Sequence, residues 1–222
     1  MNECLNVSNV SQQLENNINK EAMQKRPIVV DADYYKQIYN DYDNKNHSIY
    51  GLMAKDLLFK ALQLPEIKKV VFTAGGSGSG KSEVICRHLI QESFQGIIVD
   101  GTLANYTDAI DNITRSLDAG KQVEIRGIVT ELERAYNFVL QREIRTGRGV
   151  PIDTFIERHF NYIDSFPRIM KYFKNNPNIN FILYDNRSLD TLKIETSKQQ
   201  ILDLFNSLSR NKDIIKTKLQ SL

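Results

Sequence analysis

The stretch that decides the fold reads KKVVFTAGGSGSGKSEV, residues 68–84. Its first half is apolar and β-branched, which predicts a buried strand. Its second half is rich in glycine and serine and ends in Lys81-Ser82, where the apolar spacing of a helix begins. A flexible Gly/Ser linker is the alternative, but a linker has no reason to join a β-branched strand to an amphipathic helix. The stretch therefore predicts a strand, a tight loop and a helix, in that order.

The loop satisfies the pattern Gly-x-x-x-x-Gly-Lys-Ser of a phosphate-binding loop. The glycines let backbone N–H groups turn towards phosphate oxygens, and Lys81 adds a positive charge for the β and γ phosphates. The hydroxyl of Ser82 can ligate Mg2+, and the helix N-terminus adds its partial positive charge. We therefore predict that ATP or GTP binds with Mg2+ through Gly75, Gly76, Ser77, Gly78, Ser79, Gly80, Lys81 and Ser82.

Short apolar runs and amphipathic segments alternate on both sides of this stretch. Strands are predicted at 28–30, 68–74, 97–100, 122–129 and 179–186, and helices at 50–62, 81–94, 106–120, 152–166 and from about 197. The stretch 130–149 is predicted to be a helix that runs into a basic loop. This alternation predicts an α/β fold, a P-loop kinase-like parallel sheet with helices on both faces. Residues 1–26 read as a polar N-terminal tail and 27–222 as a single domain.

Composition excludes several classes of function. The 222 residues carry 29 basic and 27 acidic side chains, a net charge of +2, so no global field attracts nucleic acid or an anionic membrane. The apolar runs are too short to span a bilayer, and no secretion signal is evident. Two cysteines form neither a disulfide framework nor a metal cluster. We expect a cytoplasmic site of action, in the protein's own cell or in a target cell.

Acidic and hydroxyl side chains follow two of the predicted strands, where ligands bind in parallel sheets. Asp31 and Asp33 end the first strand, and Asp33 is predicted to act as a base or orienting carboxylate near a γ-phosphate. The alternative is a pair of loop aspartates that solvate a turn. Asp100 is predicted to hold Mg2+ or a substrate hydroxyl, with a helix N-cap as the alternative, and Thr102 is equally compatible with a cap and a ligand.

Three arginines, Arg142, Arg145 and Arg148, lie at a helix end that runs into a glycine-containing loop. Planar guanidinium groups suit the charge that phosphoryl transfer spreads over oxygens, and Gly147 and Gly149 allow hinge motion. We therefore predict a lid at about 142–151. A solvated basic helix end that complements the helix dipole is the alternative.

The remaining polar signals are less specific. Asn186 or Arg187, in the segment after the last strand, can border a nucleotide base, and a plain turn fits the composition equally well. The histidines at positions 47, 88 and 159 are scattered and predict no metal site.

Together these segments resemble the zeta toxin family of kinases over roughly residues 27–188. The family's phosphate loop is similar to GGSGSGKS, its Asp-x-Asp strand to VVDADYYKQIY, and its substrate-binding element to IIVDGT. The family's lid is similar to QREIRTGRGVP, and the segment beside the nucleotide base is similar to LYDNRS. The resemblance implies a P-loop fold and phosphoryl transfer from ATP or GTP to a UDP-N-acetyl-sugar. It also implies Asp33 as base, Asp100 and Thr102 as substrate ligands, and Arg142 and Arg148 as phosphate ligands.

The chain departs from the family pattern in chain order. The family's Asp-x-Asp strand follows the phosphate-loop helix, whereas here it precedes the loop, as in a circular permutation or strand transposition. A parallel strand can enter the same sheet from either direction of chain order, so the change is physically permissible. The family's Glu is replaced by Asp100, and the His-Pro after its Asp-x-Asp is missing. Both changes affect the expected identity of the acceptor substrate more than the expected type of reaction.

These observations predict a kinase for a hydroxyl of a small, nucleotide-like acceptor, with Asp31, Asp33, Asp100 and Thr102 on the acceptor side. A polynucleotide or nucleoside kinase is the second hypothesis, although the balanced charge disfavours a long nucleic-acid partner. The third is a nucleotide-dependent switch without acceptor chemistry. An inhibitory antitoxin or immunity protein is a further partner compatible with the resemblance.

Overall fold

The computed structural model describes residues 26–31, 47–147, 149–188 and 191–210, without the side chains of 47–50, 146 and 210. The strands are β1 (Ile28–Asp31), β2 (Lys69–Ala74), β3 (Ile97–Asp100), β4 (Gln122–Thr130), β5 (Ile179–Asn186) and β6 (Lys193–Glu195). The helices are α1 (His47–Leu62), α2 (π-helical Lys81–Cys86 followed by α-helical Arg87–Gln91), α3 (Tyr106–Asp118), α4 (Leu132–Thr146), α5 (Ile152–Tyr172) and α6 (Lys198–Arg210). The predicted strands and helices within these ranges are all present.

The described strands form one sheet in the order β1-β3-β2-β4-β5-β6. Neighbouring strands pair in parallel, except that β6 is antiparallel to β5. Strand β1 is an edge strand of the sheet, beside β3, and Asp31 is aligned with Asp100. Strand β1 therefore joins the same parallel sheet as β2, and its carboxyl end lies on the side from which the glycine-rich loop leaves β2.

Helices cover both faces of the sheet, as predicted, but unequally. Alternate residues of β4, such as Ile125 and Val129, belong to a large core that also contains buried residues of α1, α3, α4, α5 and α6. Ile128 faces the other way and packs in a smaller core with Ile85 and Leu89 of α2. This alternation is the period of two that a strand imposes on its side chains. The helix that follows the loop therefore occupies its own side of the sheet.

The prediction that the helix starting at 152 ends at 166 is wrong, because α5 continues through Pro167 to Tyr172. Proline removes one helical hydrogen bond, but the apolar stripe continues beyond it with the buried Ile169 and Met170. Burial of that stripe outweighs the lost bond. Neither α5 nor any other helix in the described ranges is long and apolar enough to cross a membrane.

The antiparallel strand β6 was not predicted. It has three residues, its side chains are mostly exposed, and Ile194 is its only apolar residue. A segment this short carries no periodic signal. Its pairing with β5 is decided by the neighbouring strand, since Ile194 is aligned with Tyr184.

Candidate active site

The glycine-rich loop, residues 75–80, connects β2 to α2 at the carboxyl edge of the sheet. Gly75, Gly78 and Gly80 have φ of 148°, 71° and 92°, in the region that side-chain-bearing residues rarely adopt. A Cβ at Gly78 would also lie 2.1 Å from the backbone oxygen of Ala135 in α4. Glycine therefore stands where the backbone conformation and the close approach of α4 require it.

Lys81 begins α2 and reaches back over the loop. Its Nζ donates hydrogen bonds to the carbonyl oxygens of Gly75, at 2.9 Å, and Gly76, at 3.1 Å. The hydroxyl of Thr130 donates to the carbonyl oxygen of Ser79 at 2.6 Å, which fastens the loop to the end of β4. The loop thus combines a fixed backbone, an ammonium group and a helix start, which is the chemistry that phosphate oxygens require.

A pair of aspartates ends the two strands on the other side of β2. Asp31 and Asp100 are aligned across β1 and β3. Asp100 is on the same face of its strand as Ile98, which packs against α2, and alignment places Asp31 on that face as well. Both carboxylates therefore lie at the edge of the sheet where α2 begins with Lys81 and Ser82.

Thr73, a buried residue of β2, holds Asp100 in place. Its hydroxyl donates to Oδ1 of Asp100 at 2.5 Å and accepts from the backbone N–H of Gly101 at 3.1 Å. The sequence analysis missed this residue, because a threonine in a β-branched run is typical of any buried strand. Its role depends on the pairing of β2 with β3, which the sequence pattern does not encode.

The thiol of Cys86, on α2, lies within the electrostatic influence of these charges. Burial, together with the charges of Asp100 and Asp31, raises its pKa to about 11, while the charge of Lys81 opposes the shift. The thiol on α2 therefore lies near charged groups of β1, β3 and the first residue of α2. Three segments that are separate in the chain converge on one small volume.

The loop after β3 is tied to both the phosphate loop and α5. The carbonyl oxygen of Thr102 accepts from the N–H of Gly75 at 3.3 Å, and the hydroxyl of Ser165 donates to the carbonyl oxygen of Leu103. The hydroxyl of Thr102 accepts from the N–H of Ala104 at 3.3 Å, a contact within the loop. The N-cap of α3 is Asn105, so neither Asp100 nor Thr102 caps that helix, and this alternative is wrong. The role of Thr102 as a substrate ligand stays a prediction.

The arginine-rich segment begins inside a helix. Arg142 is half-buried on α4, and Arg145 is exposed with its Nε directed at the carbonyl oxygen of Gln141. Helix α4 ends at Thr146 and is capped by Gly147, which has a φ of 69°. Arg148 lies outside the described residues, as does Asp33. The lid, its phosphate contacts and the catalytic base therefore stay predictions.

The end of β5 reaches the phosphate loop through Thr130. The side-chain amide of Asn186 donates to the Thr130 hydroxyl at 3.4 Å, and that hydroxyl contacts the loop. Arg187 instead forms a two-bond ion pair with Asp185, with both distances 2.8 Å. That hydrogen bonding lowers the pKa of the Asp185 carboxyl. The structure thus brings Asn186 to the loop, whereas the contact of Asn186 with a nucleotide base stays a prediction.

His159 also contacts this loop, which the sequence analysis did not foresee. It lies on the buried face of α5, and a Cβ at Gly76 would lie 2.0 Å from its Nε2. A cavity of about 230 Å³ adjoins both residues and is also lined by Ser79 and Tyr162. The only sequence signal was its position in the apolar stripe of α5, which does not distinguish a core histidine from one beside a site.

Comparison with known proteins supports the predicted relationship. The family model described as "Zeta toxin" matches residues 85–189, a range that begins just after the glycine-rich loop and contains Asp100, Thr102, Arg142 and Asn186. No curated protein matches the chain.

Among solved structures, the chain is similar to AvrRxo1-ORF1:AvrRxo1-ORF2 with ATP, at a TM-score of 0.53 and 12% identity over 74% of this chain and 73% of that chain. The native complex gives a TM-score of 0.50 and 13% identity, with the same coverage. A structure of the PezAT toxin–antitoxin system of the human pathogen Streptococcus pneumoniae gives 0.45 and 15%, over 95% and 82%. At such identities the AvrRxo1 structures show a shared fold. The family match confirms the resemblance to the zeta toxin family that the sequence predicted.

Proposed function

We propose that this chain is a zeta-toxin-like kinase that transfers the γ-phosphoryl group of ATP or GTP to a hydroxyl of a small nucleotide-like acceptor, such as a UDP-N-acetyl-sugar. The observation that carries the proposal is the meeting of Lys81 and its loop with the aligned carboxylates of Asp31 and Asp100 at one edge of the sheet. Ligands of parallel sheets bind at this edge. Phosphoryl transfer depends mainly on positioning and electrostatic stabilisation, which such an arrangement supplies.

On the donor side, the loop backbone and Lys81 bind the phosphates of the nucleotide. Ser82 and Asp100 fit as ligands of Mg2+, because Asp100 ends the strand next to β2 and its carboxylate is oriented towards the start of α2 by Thr73. Bound there, Mg2+ would supply positive charge that offsets the negative charge of the phosphates. The solved AvrRxo1-ORF1:AvrRxo1-ORF2 structure with ATP supports a nucleotide as the ligand of this fold.

On the acceptor side, Asp33 takes the proton of the acceptor hydroxyl as its oxygen attacks the γ-phosphorus. The bond from that phosphorus to the β-phosphate oxygen breaks, and the nucleoside diphosphate leaves. Asp33 stands two residues beyond Asp31, whose position at the active edge supports this role. Asp31, Asp100 and Thr102 position the acceptor, while Arg142 and Arg148 neutralise charge on the transferring group.

The test incubates the full chain with Mg2+, ATP or GTP radiolabelled at the γ-phosphate, and a bacterial metabolite extract. We expect label on a small molecule, and we expect the Lys81→Ala variant to lose about 1,000-fold of this activity. The matched control is Lys68→Ala, because Lys68 is exposed at the opposite end of β2. Label found only as inorganic phosphate would mean a hydrolase or switch. Label on added oligonucleotides would mean a polynucleotide kinase, and either result contradicts the proposal.

We extend the proposal to an inhibitory protein partner. The similar AvrRxo1-ORF1 chains were solved as complexes with AvrRxo1-ORF2, which supports a toxin-like chain bound by a second protein. Expression of the wild-type chain should arrest growth of a bacterial host, and the Lys81→Ala variant should not. Co-expression of the product of the adjacent reading frame should relieve the arrest and yield a complex by gel filtration. Growth unaffected by the wild-type chain would contradict the toxin role.

A further inference from the structure

We propose that His159 is a positioning residue for the phosphate loop, whose imidazole ring packs against Gly76 and fixes the segment that holds Lys81. The role of α5 is then to support the loop from behind, on the side opposite to α2. This inference rests on the proposed function, because it takes the loop to bind a nucleoside triphosphate.

The ring is held in one orientation by its own helix. His159 is 5% exposed, and its Nδ1 donates to the carbonyl oxygen of Phe155 at 3.0 Å. The Phe155 ring lies against it, with centroids 4.2 Å apart. The donor at Nδ1 leaves the Nε2 corner directed away from the helix backbone. The imidazole is therefore an ordered, rigid surface.

That surface meets the loop at a single glycine. A Cβ built at Gly76 would lie 2.0 Å from Nε2 and 2.2 Å from both Cδ2 and Cε1 of His159. Real Cβ atoms do not approach other atoms this closely, so only glycine fits between the loop and the ring. The loop backbone is thus in direct contact with the Nε2 corner of the imidazole.

Gly76 also connects the ring to the cation of the site. The carbonyl oxygens of Gly75 and Gly76 accept the two hydrogen bonds from Lys81 Nζ. A displacement of Gly76 would therefore displace the ammonium group as well. The ring acts on nucleotide binding through this glycine, without touching the nucleotide.

The space next to the ring makes the support necessary. The cavity of about 230 Å³ adjoins both Gly76 and His159. Truncation of the imidazole would join this empty space to the back of the loop and leave Gly76 without packing on that side. Burial, with a smaller contribution from the charge of Lys81, lowers the pKa of His159 to about 4, and the hydrogen bond to Phe155 opposes the shift. The ring is therefore neutral near pH 7 and does not repel the lysine that it helps to position.

The first test measures affinity for mant-ATP, a fluorescent ATP derivative, with the full chain and Mg2+. We expect His159→Ala to weaken binding about 30-fold, because without the ring Gly76 and the Lys81 ammonium group are no longer held in the positions that bind phosphate. His159→Phe should remain within about threefold of wild type, since it keeps a ring and the cavity can accept its extra atom. His88→Ala is the control, because His88 packs on Tyr184 on the α2 side of the sheet and should leave affinity unchanged. Wild-type affinity in His159→Ala would overturn the inference.

The second test uses the steric relation between the two residues. Gly76→Ala alone should weaken mant-ATP binding at least about 10-fold, because its Cβ collides with the ring although its φ is not in the positive region. The double variant Gly76→Ala with His159→Ala should bind more tightly than the Gly76→Ala single variant, because the collision is removed. If the double variant instead loses as much mant-ATP affinity as the two single variants combined, the inference is overturned. The comparison between Gly76→Ala and the double variant does not require the His159→Ala single variant to fold well. If the wild-type chain itself fails to bind mant-ATP, the proposed function fails instead.

Discussion

The phosphate loop and the carboxylate pair of Asp31 and Asp100 lie at the same edge of the sheet but are built in opposite ways. The loop is one continuous segment whose shape depends on glycine conformations and on packing against α4 and α5. The carboxylate pair joins two strands that are far apart in the chain, and it depends on their alignment. We therefore expect the donor side to fail through changes that disturb backbone packing, and the acceptor side through changes in single polar atoms.

The largest effect is expected for Gly78→Ala. Its φ of 71° disfavours a side chain, and the added Cβ would lie 2.1 Å from the carbonyl oxygen of Ala135. We expect mant-ATP affinity to fall about 1,000-fold, since neither the loop nor α4 can yield without losing its geometry. The matched control is Gly120→Ala, which has a φ of 72° but open space around it. Equal losses in the two variants would show that packing of the loop on α4 is not what shapes the donor side.

The second prediction concerns the acid stability of the donor side. His159 has a folded-state pKa of about 4, below the usual 6.5, so the unfolded chain binds more protons between these values. Its contribution to stability is complete above about pH 6.5 and is lost as the pH falls towards 4, by about 3 kcal/mol. The free energy of unfolding can be measured with urea at pH 6.5 and at pH 4. Between these values it should fall by about 3 kcal/mol more in wild type than in His159→Phe. Equal losses of unfolding free energy in wild type and His159→Phe would show that protonation of His159 does not affect stability.

The third prediction separates acceptor-side charge from donor binding. Asp100→Asn keeps an oxygen that can accept from Thr73 but removes the negative charge. Label transfer should fall about 100-fold, while mant-ATP affinity without Mg2+ stays within about twofold. Asp118→Asn, at the end of α3, is the control for loss of a carboxylate elsewhere. A large loss of metal-free affinity would mean that Asp100 supports the loop and not the transfer.

The smallest effect is expected for Thr73→Val. Valine has the same shape as threonine but removes the hydroxyl that donates to Asp100 and accepts from Gly101. Transfer should fall about 10-fold, the equivalent of one lost hydrogen bond to a charged group. Thr73→Ser keeps the hydroxyl and should restore most of the rate. Equal activity of the valine and serine variants would show that the orientation of Asp100 does not depend on Thr73.

The sequence was sufficient for features whose signal is local. Strands and helices within the described ranges, and the glycine-rich loop between β2 and α2, followed from apolar spacing and from residue types with strong conformational preferences. The extension of α5 through Pro167 and the strand β6 were not predicted. In both cases tertiary burial or pairing outweighs a weak or contrary local preference.

Features that depend on pairing between distant segments were invisible in the sequence. Thr73 matters because β2 lies beside β3, and His159 matters because α5 passes behind the loop. Neither residue differs in pattern from an ordinary core residue. Only the neighbour across the sheet, or across the helix–loop contact, distinguishes it.

The sequence by itself determined that the chain is an α/β protein with a glycine-rich loop between a strand and a helix, because glycine conformations and strand–loop–helix order are encoded within one short stretch. Tertiary structure decided that the early strand β1 enters the sheet beside β3, which aligns Asp31 with Asp100 and brings both to the side of Lys81. It also decided that a buried histidine supports the loop from behind. The physical reason is that backbone preferences act between neighbours in the chain, whereas strand register and packing act between neighbours in space.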